Sequence, residues 1–301
     1  MHIVIILLAL VSCFSTASTS VSYLNKSTLT TVEGQRYKSG VLYKSPNNKR
    51  TLHIATLNWP PYISDSLCNK GWVYHFAVAL LNSRGYDVYI EFLPWARAVR
   101  NVEIGKADIL MPEYFIEDTA PSDFVENRTR RELLGISNTF KGGNIAFLKR
   151  KNSPGIFTGN LNSLKSAKIG VVRGYQNTPE FDAMMDNNEF SIISAVDDLQ
   201  LVQLLVAERV DLIIGDPVVL AYSVKYSTLN DNAKSKLLNF IEQDGKPLRY
   251  NPLYFAISKQ TPNWLEVLED INQALYHFNN SGETKRLIDV ISAECPSTSL
   301  N

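Results

Sequence analysis

The sequence AERVDLIIGDPVVLAY, residues 207–222, contains the pattern from which we infer the architecture of this chain. Its largely apolar run, residues 210–214, is typical of a strand buried in a parallel sheet between helices. Gly215 and Asp216 end the run, and Pro217 suits the first position of a helix. Because ligands of open α/β sheets bind outside the carboxyl ends of the strands, we expect Asp216 to bind a ligand cation there. The alternative is that Asp216 only caps the following helix.

The composition is that of an ordinary globular protein, and 301 residues are enough for two domains. The chain has 30 Lys and Arg residues and 30 Asp and Glu residues, so its formal net charge is zero. This balance argues against a nucleic-acid partner, because proteins that bind nucleic acids are usually basic. No internal apolar run is long enough to span a bilayer.

The amino terminus has the features of an export signal. The apolar run at residues 3–11 is too short to span a membrane but suits a secretory signal, so residues 1–17 are predicted to be a signal peptide. The usual positive charge before the run is missing. Residues 10–13, LVSC, also resemble a bacterial lipobox, in which case the signal is residues 1–12 and Cys13 is lipidated. Both alternatives predict a periplasmic protein, which contacts the membrane only if Cys13 carries lipid.

Two cysteines, Cys68 and Cys295, remain after the signal. An even number of cysteines in an oxidising compartment predicts a disulfide, although two unpaired cysteines are the alternative. The disulfide would require the carboxyl-terminal tail to return to the first part of the chain. Residues 18–50 are polar and show little periodicity, which predicts a tether or a loosely packed arm. Within it, residues 41–43 could add an edge strand.

The pattern of strands and helices is that of a doubly wound α/β fold, and it occurs twice. In the first unit we predict strands at residues 52–56, 87–93 and 107–111, and helices at residues 71–84 and 95–105. In the second unit we predict strands at residues 168–172, 190–196 and 210–214, a helix that starts at residue 178, and a helix at residues 197–208. Apolar strands at residues 144–151 and 252–259 would connect the units, and two helices would follow at residues 263–291. The repeat predicts two facing lobes: lobe 1 is residues 51–146 plus 256–296, and lobe 2 is residues 147–255.

Two loops carry candidate ligand-binding residues. In NWPPY, the prolines stiffen the chain and present Trp59 and Tyr62, which are plausible ligand walls but could also pack under the loop. The second loop, residues 112–137, is long and charged and carries Arg130 and Arg131. A loop of this length is usually functional or mobile, although its arginines could also be solvated surface charges.

Taken in order, these motifs resemble the periplasmic solute-binding proteins of family 3, the amino-acid-binding components of ABC importers. The motifs that carry the resemblance are LHIATLNWPPY (52–62), GKADILM (105–111), RRELLGIS (130–137), KIGVVRGYQN (168–177), ERVDLIIGD (208–216) and YFAISK (254–259). The resemblance covers residue 52 to about residue 291. It implies a periplasmic-binding-protein type II fold, in which two doubly wound α/β lobes are joined by a two-strand hinge.

The resemblance also implies roles for individual residues. In the family an arginine about seven residues before a serine holds the α-carboxylate of the ligand, and here that arginine is Arg130 or its neighbour Arg131. Asp216 would receive the α-amino group, the turn at residues 173–176 would offer N–H groups to the carboxylate, and an aromatic wall would come from the first loop. The predicted ligand-binding residues are Trp59, Tyr62, Glu113, Arg130, Arg131, Arg173, Gly174, Tyr175, Gln176 and Asp216.

The loop before the arginine departs from the family because it is longer, and Glu113 stands near where a glycine and small hydroxyls are usual. A basic or larger cationic ligand is therefore an alternative to a plain amino acid. We expect a monomer that closes on a small zwitterion without a cofactor and passes it to an ABC permease. Two alternatives remain: an enzyme like the cyclohexadienyl dehydratases, with Glu113 as general acid, and a sensing module that acts through a separate receptor. The four histidines show no metal-ligand spacing.

Overall fold

The computed structural model describes residues 19–25 and 28–294, which form a mixed α/β fold with a 12-stranded sheet. The strands are β1 (Ser20–Asn25), β2 (Thr28–Tyr37), β3 (Gly40–Tyr43), β4 (Thr51–Thr56), β5 (Asp87–Phe92), β6 (Ile109–Glu113), β7 (Leu134–Ile136), β8 (Phe140–Arg150), β9 (Lys168–Val172), β10 (Ser191–Ala195), β11 (Leu212–Gly215) and β12 (Ile241–Ser258). The helices are α1 (Trp72–Ser83), α2 (Trp95–Glu103), α3 (Arg130–Leu133), α4 (Pro179–Asp186), α5 (Asp198–Val206), α6 (Pro217–Lys225), α7 (Asp231–Asn239), α8 (Trp264–Asn280) and α9 (Glu283–Glu294). The predicted signal at residues 1–17, with Cys13, and the predicted disulfide partner Cys295 lie outside the described residues.

The sheet has two halves, each built around parallel strands. In the first half β4 pairs in parallel with β5 and β6, and in the second half β9 pairs in parallel with β10 and β11. The strands that the apolar runs predict at residues 52–56 and 168–172 are present as β4 and β9. Helix α1 is buried along almost its whole length, which explains why its sequence has no polar face. The fold class predicted from the sequence is confirmed.

Strands β8 and β12 connect the two halves. Residues 241–251 of β12 pair antiparallel with β8 in the second half, and residues 254–258 pair antiparallel with β6 and β7 in the first half. The sequence predicts apolar strands at residues 144–151 and 252–259, and both are present but longer than predicted. The first part of β12 was not predicted, because residues 241–250 are mostly half-buried or exposed and their sequence is accordingly polar.

The amino-terminal region is not the loosely packed arm that its polar composition predicts. Strands β1, β2 and β3 form an antiparallel meander, and β3 continues the sheet by pairing with β5. Buried tyrosines attach the meander to α1: the hydroxyl of Tyr23 donates to Oδ1 of Asn82 at 2.9 Å, and that of Tyr43 donates to Tyr74 at 3.1 Å. The predicted edge strand at residues 41–43 is part of β3. Strands β1 and β2 were not predicted, because serines and threonines on their outer face make the sequence polar.

The two carboxyl-terminal helices return to the first half of the sheet. Helices α8 and α9 both pack against α1, and α9 also contacts β1. The side-chain amide of Asn69 donates to the carbonyl oxygen of Ile291 at 2.6 Å, and Sγ of Cys68 lies 4.0 Å from the carbonyl oxygen of Glu294. The end of α9 is therefore next to Cys68. Among the helices that the structure describes, none combines the length and apolar character needed to cross a lipid bilayer.

Candidate functional site

The segments that follow β4, β6, β9 and β11 meet where the two halves of the sheet face each other. We call this region the cleft. It is closed by contacts between side chains of the first half and the turns of the second half. Because carboxyl ends of neighbouring parallel strands lie at one edge, the motifs after these strands come together although they are distant in sequence.

Asp216 contacts both halves of the molecule. Its Oδ1 accepts hydrogen bonds from the backbone N–H of Val218 at 2.8 Å and of Val219 at 3.4 Å, so it caps α6. Its Oδ2 accepts a hydrogen bond from the hydroxyl of Tyr62 at 3.1 Å across the cleft. Burial raises the pKa of Asp216, and its hydrogen-bond donors oppose that shift. The cap expected from the sequence is present, and the carboxylate also faces the cleft.

Glycine is required beside this pair. A Cβ atom on Gly143 of β8 would collide with Oδ2 of Asp216 and with the hydroxyl of Tyr62. Strand β8 therefore passes close behind the cross-cleft hydrogen bond, and a side chain at this position would separate Tyr62 from Asp216.

The aromatic residues of the first loop are buried, although the sequence predicts that the prolines present them. Trp59 is 5% exposed and Tyr62 is 8% exposed. Their rings stack with centroids 4.7 Å apart, and the ring of Tyr114 meets Trp59 edge-on at 5.6 Å. Backbone hydrogen bonds between Trp59 and Ile63 close the loop, and its aromatic rings face the interior of the cleft.

A second link across the cleft uses Trp95, the first residue of α2. Its Nε1 donates to the carbonyl oxygen of Gly174 at 2.9 Å, and its ring meets that of Tyr175 edge-on at 6.0 Å. Gly174 has a φ of 82°, which glycine adopts without strain. The turn after β9, whose residues 174–176 are predicted to offer N–H groups to a ligand, therefore reaches the first half of the molecule.

Arg130 is buried in the cleft between two carboxylates. Its Nε donates to Oε1 of Glu103 at 2.8 Å, and its Nη2 donates to Oε2 of Glu113 at 2.8 Å. Nη1 has no hydrogen-bond partner among the described residues. Burial raises the pKa of Glu113, and Arg130 opposes this shift. Both carboxylates raise the pKa of Arg130, so its guanidinium stays charged.

Two predicted residues lie outside the cleft. Arg131 points to the surface, where it lies over the ring of Phe115 at 5.6 Å and 3.6 Å from Oδ1 of Asp118. Arg173 is exposed, and only its backbone N–H is engaged, by the carbonyl oxygen of Ala195. Of the two adjacent arginines, the structure places Arg130 in the cleft.

Further acidic side chains are buried near the cleft. Oδ2 of Asp198, at the start of α5, accepts a hydrogen bond from the hydroxyl of Tyr175 at 2.8 Å. Asp182 accepts from the backbone N–H of Asn177 at 2.8 Å and from its side-chain amide at 3.2 Å. Burial is the main cause that raises the pKa of Asp182 and that of Asp198 to about 7 each. The hydroxyl of Tyr114 is buried and has no hydrogen-bond partner among the described residues.

The cavities inside the cleft are small. One has a volume of about 20 Å³ and is lined by residues that include Trp59, Glu113, Tyr114 and Tyr175. Another, of about 90 Å³, is lined by residues that include Arg130 and Asp182. The first is close to the space that one water molecule needs, so a ligand of amino-acid size requires the two halves to separate. A larger groove of about 640 Å³ lies outside the cleft, between α6, α9 and the loop before α1.

The structure thus brings most of the predicted residues together and adds others. The predicted residues in the cleft are Trp59, Tyr62, Glu113, Arg130, Gly174, Tyr175, Gln176 and Asp216. Sequence reasoning missed Trp95, Glu103 and Asp198 as site residues. Asp198 had a signal, because it follows a strand as Asp216 does, whereas Glu103 lies within the regular pattern of α2 and had none. No group of three or more metal-ligating side chains occurs among the described residues.

Solved structures with the same fold were found by comparison. A histidine kinase sensor domain with similarity to periplasmic binding proteins has a TM-score of 0.63 and 16% identity, with 82% of this chain and 96% of that chain covered. An ancestral arginine-binding protein bound to arginine has a TM-score of 0.61 and 20% identity, with 80% and 97% covered. An amino acid ABC transporter substrate-binding protein from Streptococcus pneumoniae bound to L-arginine has a TM-score of 0.60 and 16% identity, with 82% and 97% covered.

These likenesses establish the fold. The chain has the periplasmic-binding-protein type II fold over most of its length, and nearly the whole of each similar structure is covered. No family model matches the sequence, and no curated protein matches it. Arginine is the ligand of the ancestral arginine-binding protein and of the Streptococcus pneumoniae protein, whose identities to this chain are 20% and 16%.

Proposed function

We propose that this protein is an exported solute-binding protein of the family 3 type, which captures a small amino-acid-like ligand for ABC-type import. The observation that carries the proposal is the cleft itself, where polar and aromatic side chains from both halves meet on a fold shared with amino-acid-binding proteins. Small-molecule sites commonly combine such an apolar wall with a few converging polar groups.

The proposed mechanism is hinge closure. Residues 51–146 plus 256–296 move as one lobe and residues 147–255 as the other, with β8 and β12 as the connections. Separation breaks the Tyr62–Asp216 and Trp95–Gly174 hydrogen bonds, and closure around a ligand replaces or restores them. Trp59 and Tyr62 cover the apolar part of the ligand, and Asp216 receives its cationic nitrogen.

The proposal includes the exported state of the chain. Residues 1–17 direct the protein to the periplasm, or residues 1–12 do so and Cys13 becomes lipidated. Cys68 and Cys295 form a disulfide, which is supported by the 4.0 Å distance between Sγ of Cys68 and the carbonyl oxygen of Glu294, the residue before Cys295. The protein acts as a monomer that binds without catalysis and without a cofactor.

Thermal unfolding of the mature protein with amino acids, amines and small carboxylates tests the proposal. A ligand that binds only the folded state raises the Tm with concentration. We expect at least one ligand to raise the Tm. The Asp216→Asn variant should need at least about tenfold more of that ligand for the same rise, which corresponds to a loss of about 1.4 kcal/mol in binding free energy. Asp211→Asn, at the opposite end of β11, is the matched control and should respond like the wild type. A panel without any shift would count against the proposal.

A sensor is the second candidate function. The observation that favours it is the histidine kinase sensor domain among the similar structures, whose TM-score of 0.63 is as high as the 0.60 of the amino acid ABC transporter substrate-binding protein. A sensor of this kind would bind a separate receptor only in the presence of its ligand. Transport assays with a cognate permease and ligand-dependent binding to a receptor ectodomain separate the two functions. The enzyme alternative is disfavoured, because Arg130 and the backbone N–H of Tyr114 already engage Glu113.

A further inference from the structure

We propose that the ligand of the cleft is a small organic cation without a carboxylate, an amine or a guanidinium compound. This inference rests on the proposed capture of a small ligand by hinge closure, and it replaces the amino-acid-like ligand with one that has no carboxylate. The amino-acid-like ligand implied by the sequence would carry a carboxylate, and the charges in the cleft oppose one.

The first observation is the charge inventory. Among the described residues, Arg130 is the one lysine or arginine whose side chain is buried. The buried carboxylates in and around the cleft are Glu103, Glu113, Asp182, Asp198 and Asp216. The described residues that line the two cavities inside the cleft include a single cationic side chain, that of Arg130. The buried part of the site is therefore acidic.

The second observation is that Arg130 is already occupied. A guanidinium holds a ligand carboxylate best through two parallel hydrogen bonds. Here Nε is bonded to Glu103 and Nη2 is bonded to Glu113, so only Nη1 remains. A carboxylate at Nη1 would lie beside Glu113, and the cavity on this side is also lined by Asp182 and Asp186. Repulsion from these groups disfavours an anion.

The third observation is that three buried aspartates have only neutral hydrogen-bond donors. Asp216 is bonded to Tyr62 and to backbone N–H groups, Asp198 to Tyr175, and Asp182 to Asn177. A buried carboxylate without a cationic partner is costly, and it either takes up a proton or meets a cation. The raised pKa values of these aspartates have the same cause. A ligand cation beside any of them would supply that partner.

The hydroxyl of Tyr114 is an independent indication of a ligand. Tyr114 is 6% exposed, and its hydroxyl has no hydrogen-bond partner in the described part of the chain. Tyr114 lines the cavity of about 20 Å³ together with Glu113 and Tyr175. A phenol oxygen accepts an N–H hydrogen bond from an ammonium group. Tyr114 thus adds a neutral acceptor to the acidic side chains of the cleft.

Matched ligand pairs test the inference. Arginine and agmatine, lysine and cadaverine, and ornithine and putrescine differ within each pair only in the α-carboxylate. We expect calorimetry on the mature protein at pH 8 to give, in at least one pair, a Kd for the amine at least about tenfold lower than for the amino acid. If the amino acid binds more tightly in every pair that binds, the inference fails and the proposed function stands. Binding of none of the six overturns the inference, and a panel without any ligand overturns the proposed function as well.

Variants of the carboxylates add a test that does not depend on absolute affinity. Glu113→Gln keeps a hydrogen-bond acceptor for Arg130 but removes one charge, so we expect the preference for the amine over the amino acid to fall about tenfold. Asp198→Asn should weaken amine binding by about tenfold or more, and the exposed neighbour Asp197→Asn should leave it unchanged. An unchanged preference in Glu113→Gln together with unchanged amine binding in Asp198→Asn contradicts the inference.

Discussion

Asp270 and Asp198 are both buried aspartates, but their surroundings differ in charge. Asp270, on α8, accepts hydrogen bonds from Nζ of Lys49 at 2.8 Å, from Nη2 of Arg84 at 2.6 Å and from the hydroxyl of Tyr86 at 2.7 Å. Asp198 accepts one side-chain hydrogen bond, from the neutral hydroxyl of Tyr175. The pKa of Asp270 is lowered by these donors although burial opposes the shift, whereas burial raises the pKa of Asp198 to about 7.

The difference separates a group that stabilises the fold from a group that is available to a ligand. The cations around Asp270 connect the segment before β4, the end of α1 and α8, so this cluster holds the first half together. The carboxylates of the cleft have no such partners, with the exception of the two that share Arg130. The comparison predicts that mutations reduce stability where a buried carboxylate is paired with a cation. Mutations of the buried aspartates that have only neutral hydrogen-bond donors should reduce ligand binding more than stability.

The largest loss of stability is expected for Arg130→Met. The substitution leaves Glu103 and Glu113 buried without a cation, and removal of one partner from a buried ion pair costs about 3–5 kcal/mol. Urea unfolding at pH 8 measures the change. The loss should be smaller at pH 5, because burial raises the pKa of Glu113 and Arg130 opposes that shift, so Glu113 takes up a proton more readily once Arg130 is removed.

Arg131→Met is the matched control for this prediction. Arg131 lies next in sequence, and its ion pair with Asp118 is at 3.6 Å with an aspartate that is 86% exposed. Surface pairs of this kind contribute about 0–1 kcal/mol, so we expect a change below about 1 kcal/mol. Equal losses in the two variants would show that Arg130 is not the structural partner of the two glutamates.

A smaller loss, about 2 kcal/mol, is expected for Asp270→Asn. The amide keeps one acceptor but removes the charge that Lys49 and Arg84 share, and both of these cations are partly exposed, so solvent screens part of the effect. Because the pKa of Asp270 is lowered in the folded state, its contribution is present above the unfolded value of about 3.8 and is lost as the pH falls further. The free energy of unfolding should therefore differ from wild type at pH 7, and the difference should shrink as the pH falls below about 3.8. Asp289→Asn, in the exposed pair with Lys285, should match the wild type at both pH values.

Much of the fold could be predicted from the sequence because buried strands and amphipathic helices leave periodic patterns. Strands such as β4, β5 and β9 are apolar or alternate, and α6 begins at the Asp-Pro pair that predicts it. The meander β1–β3 was missed, because only single residues such as Val21 and Val32 face inward between serines and threonines. A short polar strand has no pattern of its own, and its pairing with a neighbour is a tertiary property.

Arg130 was predicted from the resemblance to family 3, whereas most of the predicted site residues follow a strand. Asp216 and the turn at residues 174–176 were found in this way, since strand ends converge in an open α/β sheet. Glu103 was not found, because its place at the end of α2 looks like an ordinary polar helix position, and only the tertiary fold brings it to Arg130. The ion pairs of Arg130 likewise depend on the packing of β6 against α2 and α3. The sequence therefore indicated where the cleft lies, but not which of its charged side chains form ion pairs with each other.

The smallest change in stability is expected for Asp198→Asn, and here the variant gains stability. Asp198 represents the buried aspartates that have no cationic partner. The pKa of Asp198 is raised from 3.8 to about 7, so between these values the folded protein binds a proton that the unfolded chain has released. Stability then falls as the pH rises from about 4 to about 7. Asparagine does not titrate and still accepts the hydrogen bond from Tyr175. The variant should therefore show a flatter dependence of the Tm on pH and, at pH 8 without ligand, be more stable than wild type by on the order of 1 kcal/mol. Asp197→Asn keeps a good helix cap but removes a charge that also raises the pKa of Asp198, so its curve should lie between those of wild type and Asp198→Asn. A variant that is less stable than wild type at pH 8 would mean that a cation of the protein itself balances Asp198, and the contrast with Asp270 would then be lost.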